Sequence, residues 1–293
     1  MKKIVSLILA VLMLACVLTG CANNDPAPAE TPAASEEPTT IRVGAMTGPT
    51  AMGMVKLMDE SDKGENANKY EFSLQTEATA FAPALTKGEI DIAAVPANLA
   101  SVIYNNTNGG IKVLAVNATG VLYIVERGNS ISSFADLAGK MLYATGEGAT
   151  AEFALRYLLK ANGLDGDNAP TIQWCADTTE ALSYISNDEN AVAMLPQPFV
   201  TAAQTKVEGL NVALNLNEEW QKVNDGASMA TGVIVVRTEF AEKYPQQLEK
   251  FMQEYAESVK FVNENTEQAA ELIGNYEIVK APIGLKALPY CNI

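Results

Sequence analysis

The chain contains no histidine in 293 residues. That absence removes the commonest general base, the Ser-His nucleophile pairs and most zinc sites together. Cysteine is sparse: Cys16 and Cys21 lie near the start, and only Cys175 and Cys291 stand in the body of the chain. An oxidising compartment would allow those two to pair, but the sequence does not bring them together. Cys175 sits in an apolar, strand-like stretch, which favours a buried free thiol. Positive charge is in deficit, with 20 Lys and Arg against 35 Asp and Glu. An acidic surface disfavours nucleic acid and anionic lipid faces, and it keeps an exported protein soluble without implying acidic chemistry at a site. After the first 20 residues no apolar run is long enough for a transmembrane helix.

What is present begins with Met1-Lys2-Lys3 and an almost unbroken apolar run from Ile4 to Leu18. Its length suits the apolar region of a signal peptide (residues 1–20) and is too short for a membrane span. Leu18-Thr19-Gly20-Cys21 is similar to the bacterial lipobox, which implies cleavage before Cys21 and a thioether-linked lipid on its sulfur. An ordinary cleaved signal with a chance cysteine is the alternative. Residues 21–40 carry Pro26, Pro28, Pro32 and Pro38 among Ala, Glu, Thr and Ser. That composition cannot bury enough apolar surface to fold and reads as a tether. The expected location is therefore the extracytoplasmic face of the cell membrane, held by a lipid anchor.

From residue 41 the chain is long enough for two lobes. Strand-like segments occur at 41–46, 70–74, 90–95, 111–116, 121–125, 141–144, 172–175, 191–195, 211–214 and 231–237. Helical patterns lie between several of them. Met52, Val55, Leu57 and Met58 mark one helix. Phe153, Leu155, Leu158 and Leu159 are the apolar positions of a second, closed by Gly163. Tyr244 to Val262 marks a long one. Alternating strands and helices predict an α/β protein of mostly parallel sheets flanked by helices.

Three stretches resemble the type II periplasmic-binding folds of the aliphatic-sulfonate, taurine, nitrate and thiamine-precursor binding proteins. They are Leu85 to Ala93 followed by Pro96, Phe134 to Lys140 leading to Thr145-Gly146, and Ala193 to Phe199. The resemblance implies two lobes joined by two crossings, expected near Tyr123–Arg127 and Gly232–Arg237. Lobe one is then 41–125 plus 236–293, and lobe two is 126–235. The family usually continues through more helix, so the end at Ile293 suggests a C-terminally truncated fragment. The resemblance further implies a small-molecule ligand, such as a vitamin precursor or sulfonate, and an ABC permease as partners, with no cofactor.

Ligands of open α/β sheets bind beyond the carboxyl ends of strands. That rule nominates Thr47, Gly48 and Thr50 after the first strand, and Gly146, Gly148 and Thr150 in the second lobe. Glycines there let backbone approach a ligand, and helix-start amides attract anionic or carbonyl groups. Each turn is also explicable as an ordinary capped βα turn. Asn98 and Gln197 stand at further strand ends, Asn98 alternatively as a cap. Tyr123 is the aromatic candidate, with Phe81, Tyr143, Trp174 and Phe199 near the same edges. None of the arginines (Arg42, Arg127, Arg156, Arg237) falls in these loops, so a bidentate clamp for an anion is not evident. Arg127 and Arg237 flank the expected crossings. The ligand is expected to be neutral, or to rest one anionic group on helix-start amides. Three function classes remain: a solute-binding lipoprotein of an importer, a ligand sensor for a membrane receptor, and an enzyme on the same fold. The last is disfavoured by the missing histidine and the lack of a paired nucleophile and base.

Overall fold

The computed structural model describes residues 40–76 and 80–293; the leader, Cys21 and the tether to residue 39 lie outside them. The chain runs β1 (Thr40–Met46), α1 (Pro49–Met52), α2 (Val55–Lys63), β2 (Lys69–Gln75), α3 (Phe81–Lys87), β3 (Ile92–Pro96), α4 (Ala97–Asn106) and β4 (Ile111–Thr119). Next come β5 (Leu122–Glu126), β6 (Met141–Ala144), α5 (Thr150–Ala161), β7 (Thr171–Trp174), α6 (Thr178–Asn187), β8 (Val192–Pro196), α7 (Phe199–Gln204), β9 (Asn211–Asn215) and α8 (Leu216–Val223). It closes with β10 (Ala230–Arg237), α9 (Thr238–Lys243), α10 (Pro245–Glu264), α11 (Thr266–Asn275) and α12 (Ala281–Ala287).

The strands form two five-stranded sheets, in the orders β2-β1-β3-β10-β4 and β7-β6-β8-β5-β9. In each, four strands share a direction and one runs against them: β10 in the first sheet and β5 in the second. Side chains alternate across each sheet, so each strand feeds two apolar layers. On β10, Ile234 and Val236 enter one layer with Ile41, Val43 and Phe251, while Val233 and Val235 enter the other with Phe81 and Val95. On β5, Leu122 and Ile124 pack with Leu142 and Leu155, while Tyr123 and Val125 pack with Leu195 and Val200.

Strand membership corrects the expected crossings. All of β5, including Tyr123 to Glu126, belongs to the second sheet, and all of β10, including Gly232 to Arg237, belongs to the first. The chain changes sheets at Gly120–Val121 and again between Val223 and Ala230. Hydrophobicity could not locate these changes, because β5 and β10 are as buried as any strand. The two crossings lie side by side, with Gly120 N donating to Met229 O at 2.9 Å. Asn217 Oδ1 accepts from Met229 N at 2.9 Å. Gly120 has φ 55°, and a Cβ there would lie 2.1 Å from Asn217 Cβ, so only glycine fits.

The first two family-like stretches prove architectural. Asp91 accepts from Arg42 Nε (2.8 Å), Arg42 N (3.1 Å) and Arg237 Nη2 (3.1 Å), tying β1, β3 and β10 together. Asp136 accepts from the N–H groups of Ser132 and Ser133, which hold its carboxyl at about 2. Cys175 and Cys291 are free, buried thiols in separate apolar layers.

Burial pushes the Asp91 pKa up, but the hydrogen bonds from Arg42 and Arg237 outweigh it and hold the group below the ordinary carboxylate range. A depressed folded-state pKa contributes stability above the unfolded value, and that stability is lost as pH falls through the folded value. Asp91→Asn should therefore cost about 2 kcal/mol at neutral pH, since Arg42 is partly exposed and Arg237 less so. Urea titrations from pH 7 down to pH 3 should show the two proteins converging in acid. A constant gap would refute the assignment.

Candidate functional site

The carboxyl ends of β1 and β3 in one lobe face those of β6 and β8 in the other. Between them lies a cavity of about 120 Å³. From lobe one it is lined by Met46 to Thr50, Pro96, Ala118, Thr231 and Gly232, and from the far side by Val121, Pro196, Gln197 and Phe199. Of the predicted residues, Thr47, Gly48, Thr50 and Gln197 meet here. Gly232 went unrecognised as a site position. Its missing side chain makes room, because a Cβ would sit 2.7 Å from both Thr50 Cγ2 and Asn117 Oδ1. Asn117 Nδ2 donates to Thr50 O at 3.0 Å, while its buried Oδ1 has no hydrogen-bond partner among the described residues.

The roles expected of the first turn change. Thr50 Oγ1 donates to Met46 O at 2.5 Å, so its one hydroxyl proton is already committed. The N–H groups of Ala51 and Met52 turn back to Gly48 O, and that of Thr47 goes to Gln75 O. Pro49 has no N–H. α1 is only four residues long, so this is a tight turn and not a helix start presenting a row of free amides. Gln197 is buried, and its Oε1 accepts from Thr201 N (3.3 Å) and Oγ1 (3.0 Å), which fixes the side chain.

The second group of predicted residues meets across the lobes. Asn98, at the start of α4, and Thr150, at the start of α5, bond each other directly. Thr150 Oγ1 donates to Asn98 Oδ1 at 3.0 Å and accepts from Asn98 N at 3.3 Å. Asn98 Nδ2 donates to Gly148 O at 3.0 Å. These three bonds form a latch between lobe one and lobe two. Glu152 already occupies the start of α5: its Oε2 accepts from Gly148 N at 2.7 Å and its Oε1 from Arg156 Nε at 2.7 Å. Those two contacts lower its pKa, the Gly148 bond first. A resident carboxylate at a helix start answers the positive end of the helix dipole, so a ligand anion there would meet like charge.

Two nominated residues lie elsewhere. Tyr123 faces the second sheet's apolar layer, and its hydroxyl donates to Tyr290 O at 3.0 Å. Gly146 has φ 86°, as its turn requires, and lines neither this cavity nor the groove beside the latch. Among the other aromatic candidates, Phe81 is core, Tyr143 stacks on Tyr184 at 4.2 Å and Trp174 packs on lobe two; only Phe199 reaches the cavity. No arginine lines it. Arg42 and Arg237 sit on Asp91 at the opposite ends of the strands, and Arg127 reaches Ser186 O and Glu189. Among the described residues no cluster of Cys, Asp or Glu could hold a metal ion, and no helix is long and apolar enough to cross a membrane.

This architecture is shared with solved structures. An ABC transporter protein from Parabacteroides distasonis is 22% identical, with TM-score 0.68 over 87% of this chain and 85% of that one. The periplasmic aliphatic sulphonate binding protein SsuA from Escherichia coli is 18% identical, with TM-score 0.69 over 87% and 80%. The alkanesulfonate-binding protein SsuA from Xanthomonas axonopodis pv. citri, bound to MOPS, is 13% identical, with TM-score 0.64 over 88% and 86%. The two SsuA proteins are binding proteins, and the likeness to all three neighbours concerns the fold. No curated protein matches the sequence. The NMT1/THI5-like family profile, however, matches residues 110–269, more than half of the chain and all of the second lobe together with both crossings, and the chain belongs to that family.

Proposed function

We propose that this chain is the extracytoplasmic solute-binding component of an ABC importer, anchored through a lipid on Cys21, and that it closes its two lobes over a small uncharged molecule. The observation that carries this reading is the cross-lobe arrangement: a cavity lined from both sheets, beside a latch whose donors and acceptors come from opposite lobes. The lobes pivot about the paired crossings at Gly120 and Met229. A ligand touching both lobes gains contacts only when they close, so its differential affinity shifts the population toward the closed form. The permease would then dock on that form. The polar side chains lining the cavity are Thr47, Thr50, Thr231 and Gln197.

The lining supports a neutral ligand. Neither the cavity nor the groove beside the latch contains Asp, Glu, Lys or Arg, in a chain whose net charge is −15. Glu152 occupies the start of α5, and the amides of Thr47, Ala51 and Met52 in the first turn are taken by backbone carbonyls, which narrows the anion sites that the βα turns alone suggested. Thr50 and Gln197 then serve mainly to shape the cavity, while Asn98, Gly148 and Thr150 offer hydrogen bonds that a ligand can exchange for those of the latch.

A thermal-shift screen of pyrimidines, flavins, sulfonates, nitrate and amino acids tests the function directly. An uncharged solute should raise the melting point, with about 2.7 kcal/mol of stabilisation at a hundredfold excess over Kd. If no small molecule in the screen stabilises the protein, the solute-binding reading fails.

Asn98→Ala removes two of the three latch bonds. At about 1 kcal/mol net for each, the open–closed balance should move at least tenfold toward open. Small-angle scattering should then report a larger radius of gyration, and calorimetry a weaker apparent Kd. An unchanged radius would rule the latch out. For the anchor, Cys21→Ala should move the protein from the membrane fraction to the soluble fraction of expressing cells, and retention in the membrane would exclude lipidation at that residue.

A further inference from the structure

Beside the latch lies a groove of about 770 Å³, and its lining comes from both lobes. α4 contributes Asn98, Ser101 and Val102, α5 contributes Thr150, Phe153 and Tyr157, and α8 contributes Trp220 and Asn224. The inner cavity, at about 120 Å³, has room for only a few heavy atoms. The groove falls within the ~300–1,000 Å³ range of small-molecule sites.

Its walls are unusual for an exposed surface. Phe153 is two residues from the buried Leu155, about 200° round α5 and so on the face away from the core, where it is 58% exposed. Tyr157, one helical turn on and on the same face, is 42% exposed, and Val102 on the opposite wall is 49% exposed. The Tyr157 ring lies 4.9 Å from Trp220, and its hydroxyl donates to Asn224 Oδ1 at 2.9 Å, so the aromatic wall is held in place. The polar groups of the lining are amides and hydroxyls, from Asn98, Ser101, Thr150, Asn224 and Ser228, with no charged side chain among them. Large apolar faces with fixed geometry and uncharged hydrogen-bonding groups suit a flat, uncharged ring system, which can stack on the aromatics and satisfy its edge atoms.

We propose that the groove is a ligand subsite, formed only when the lobes close, that takes the flat uncharged ring system of the transported solute. This rests on the solute-binding reading and specifies its ligand class. Opening the clamp separates Val102 from Phe153 and Tyr157, so the ring system would itself hold the lobes together.

The protein has two tryptophans, and Trp174→Phe leaves Trp220 as the sole reporter. Lumichrome, quinazoline and thymine serve as flat uncharged probes, with taurine as a charged aliphatic control. At least one flat probe should quench Trp220, and Phe153→Ser should weaken its binding about tenfold. Because Phe153 is exposed, that variant should keep the parent melting point. Absence of Trp220 quenching by all three probes overturns the proposal, as does a Phe153→Ser variant with unchanged affinity. If taurine instead binds with no Trp220 response, the solute-binding reading stands and the groove assignment falls. If Phe153→Ser leaves solute binding intact but abolishes uptake in cells, the face belongs to a protein partner and the proposal is likewise wrong.

Discussion

In each sheet one strand runs against its four neighbours, and that reversed strand is the one adjoining a crossing: β5 follows the first, β10 follows the second. Because β10 sits between β3 and β4, the first sheet is completed only when the chain has traversed the second lobe and returned, whereas β5 to β9 of the second sheet are one continuous run. The reversed strands also bring the two crossings together, where Gly120 and Met229 bond and Asn217 braces both. Everything functional follows from that placement. The carboxyl ends of the remaining strands are left facing one another across the hinge, and the loops they carry line the cavity and make the latch.

Charge is distributed in keeping with this. The buried Asp91 and its two arginines secure the ends of β1, β3 and β10 that lie away from the cavity. There they lock strand register without exposing charge to a ligand. At the start of α5 the helix dipole is answered by Glu152. The cavity and the groove between the lobes are lined by amides, hydroxyls, aromatic faces and apolar side chains such as Val102 and Met229, with no charged side chain among them. Uncharged groups cannot form an ion pair, so under the proposed function recognition there would rest on shape, stacking and hydrogen bonds. The latch uses the same chemistry. Asn98 and Thr150 meet each other across the lobes with groups that a polar ligand could equally satisfy.

Much of this was legible in the chain. The strand segments, the glycine-bearing turns and the absence of histidine all follow from local pattern and composition. The strand-end rule nominates Thr47, Gly48, Thr50 and Gln197, which line the cavity, and Asn98, Gly148 and Thr150, which bond one another across the lobes. What pattern misassigned was direction. Tyr123 alternates with Leu122 and Ile124, and either face of a strand buried on both sides looks alike in sequence, so its inward turn toward Tyr290 had no signal. Phe153 is apolar like Leu155 and Leu158, but at about 3.6 residues per turn it stands on the opposite face of α5, and that face lines the groove beside α4.

The sequence alone determined that the folded part is α/β, that it resembles a two-lobed binding protein, and that histidine-based chemistry is excluded, because these rest on residue type and periodicity. Only the tertiary structure decided where the chain changes lobes, that Asn98 meets Thr150, that the helix start at Gly148 is occupied by Glu152, and that Phe153, Tyr157 and Trp220 share one groove. Each of these depends on which segments far apart in the chain become neighbours. Residues 98 and 150, or 157 and 220, carry no local trace of one another, and only the packing of two sheets about a shared hinge brings them within bonding distance.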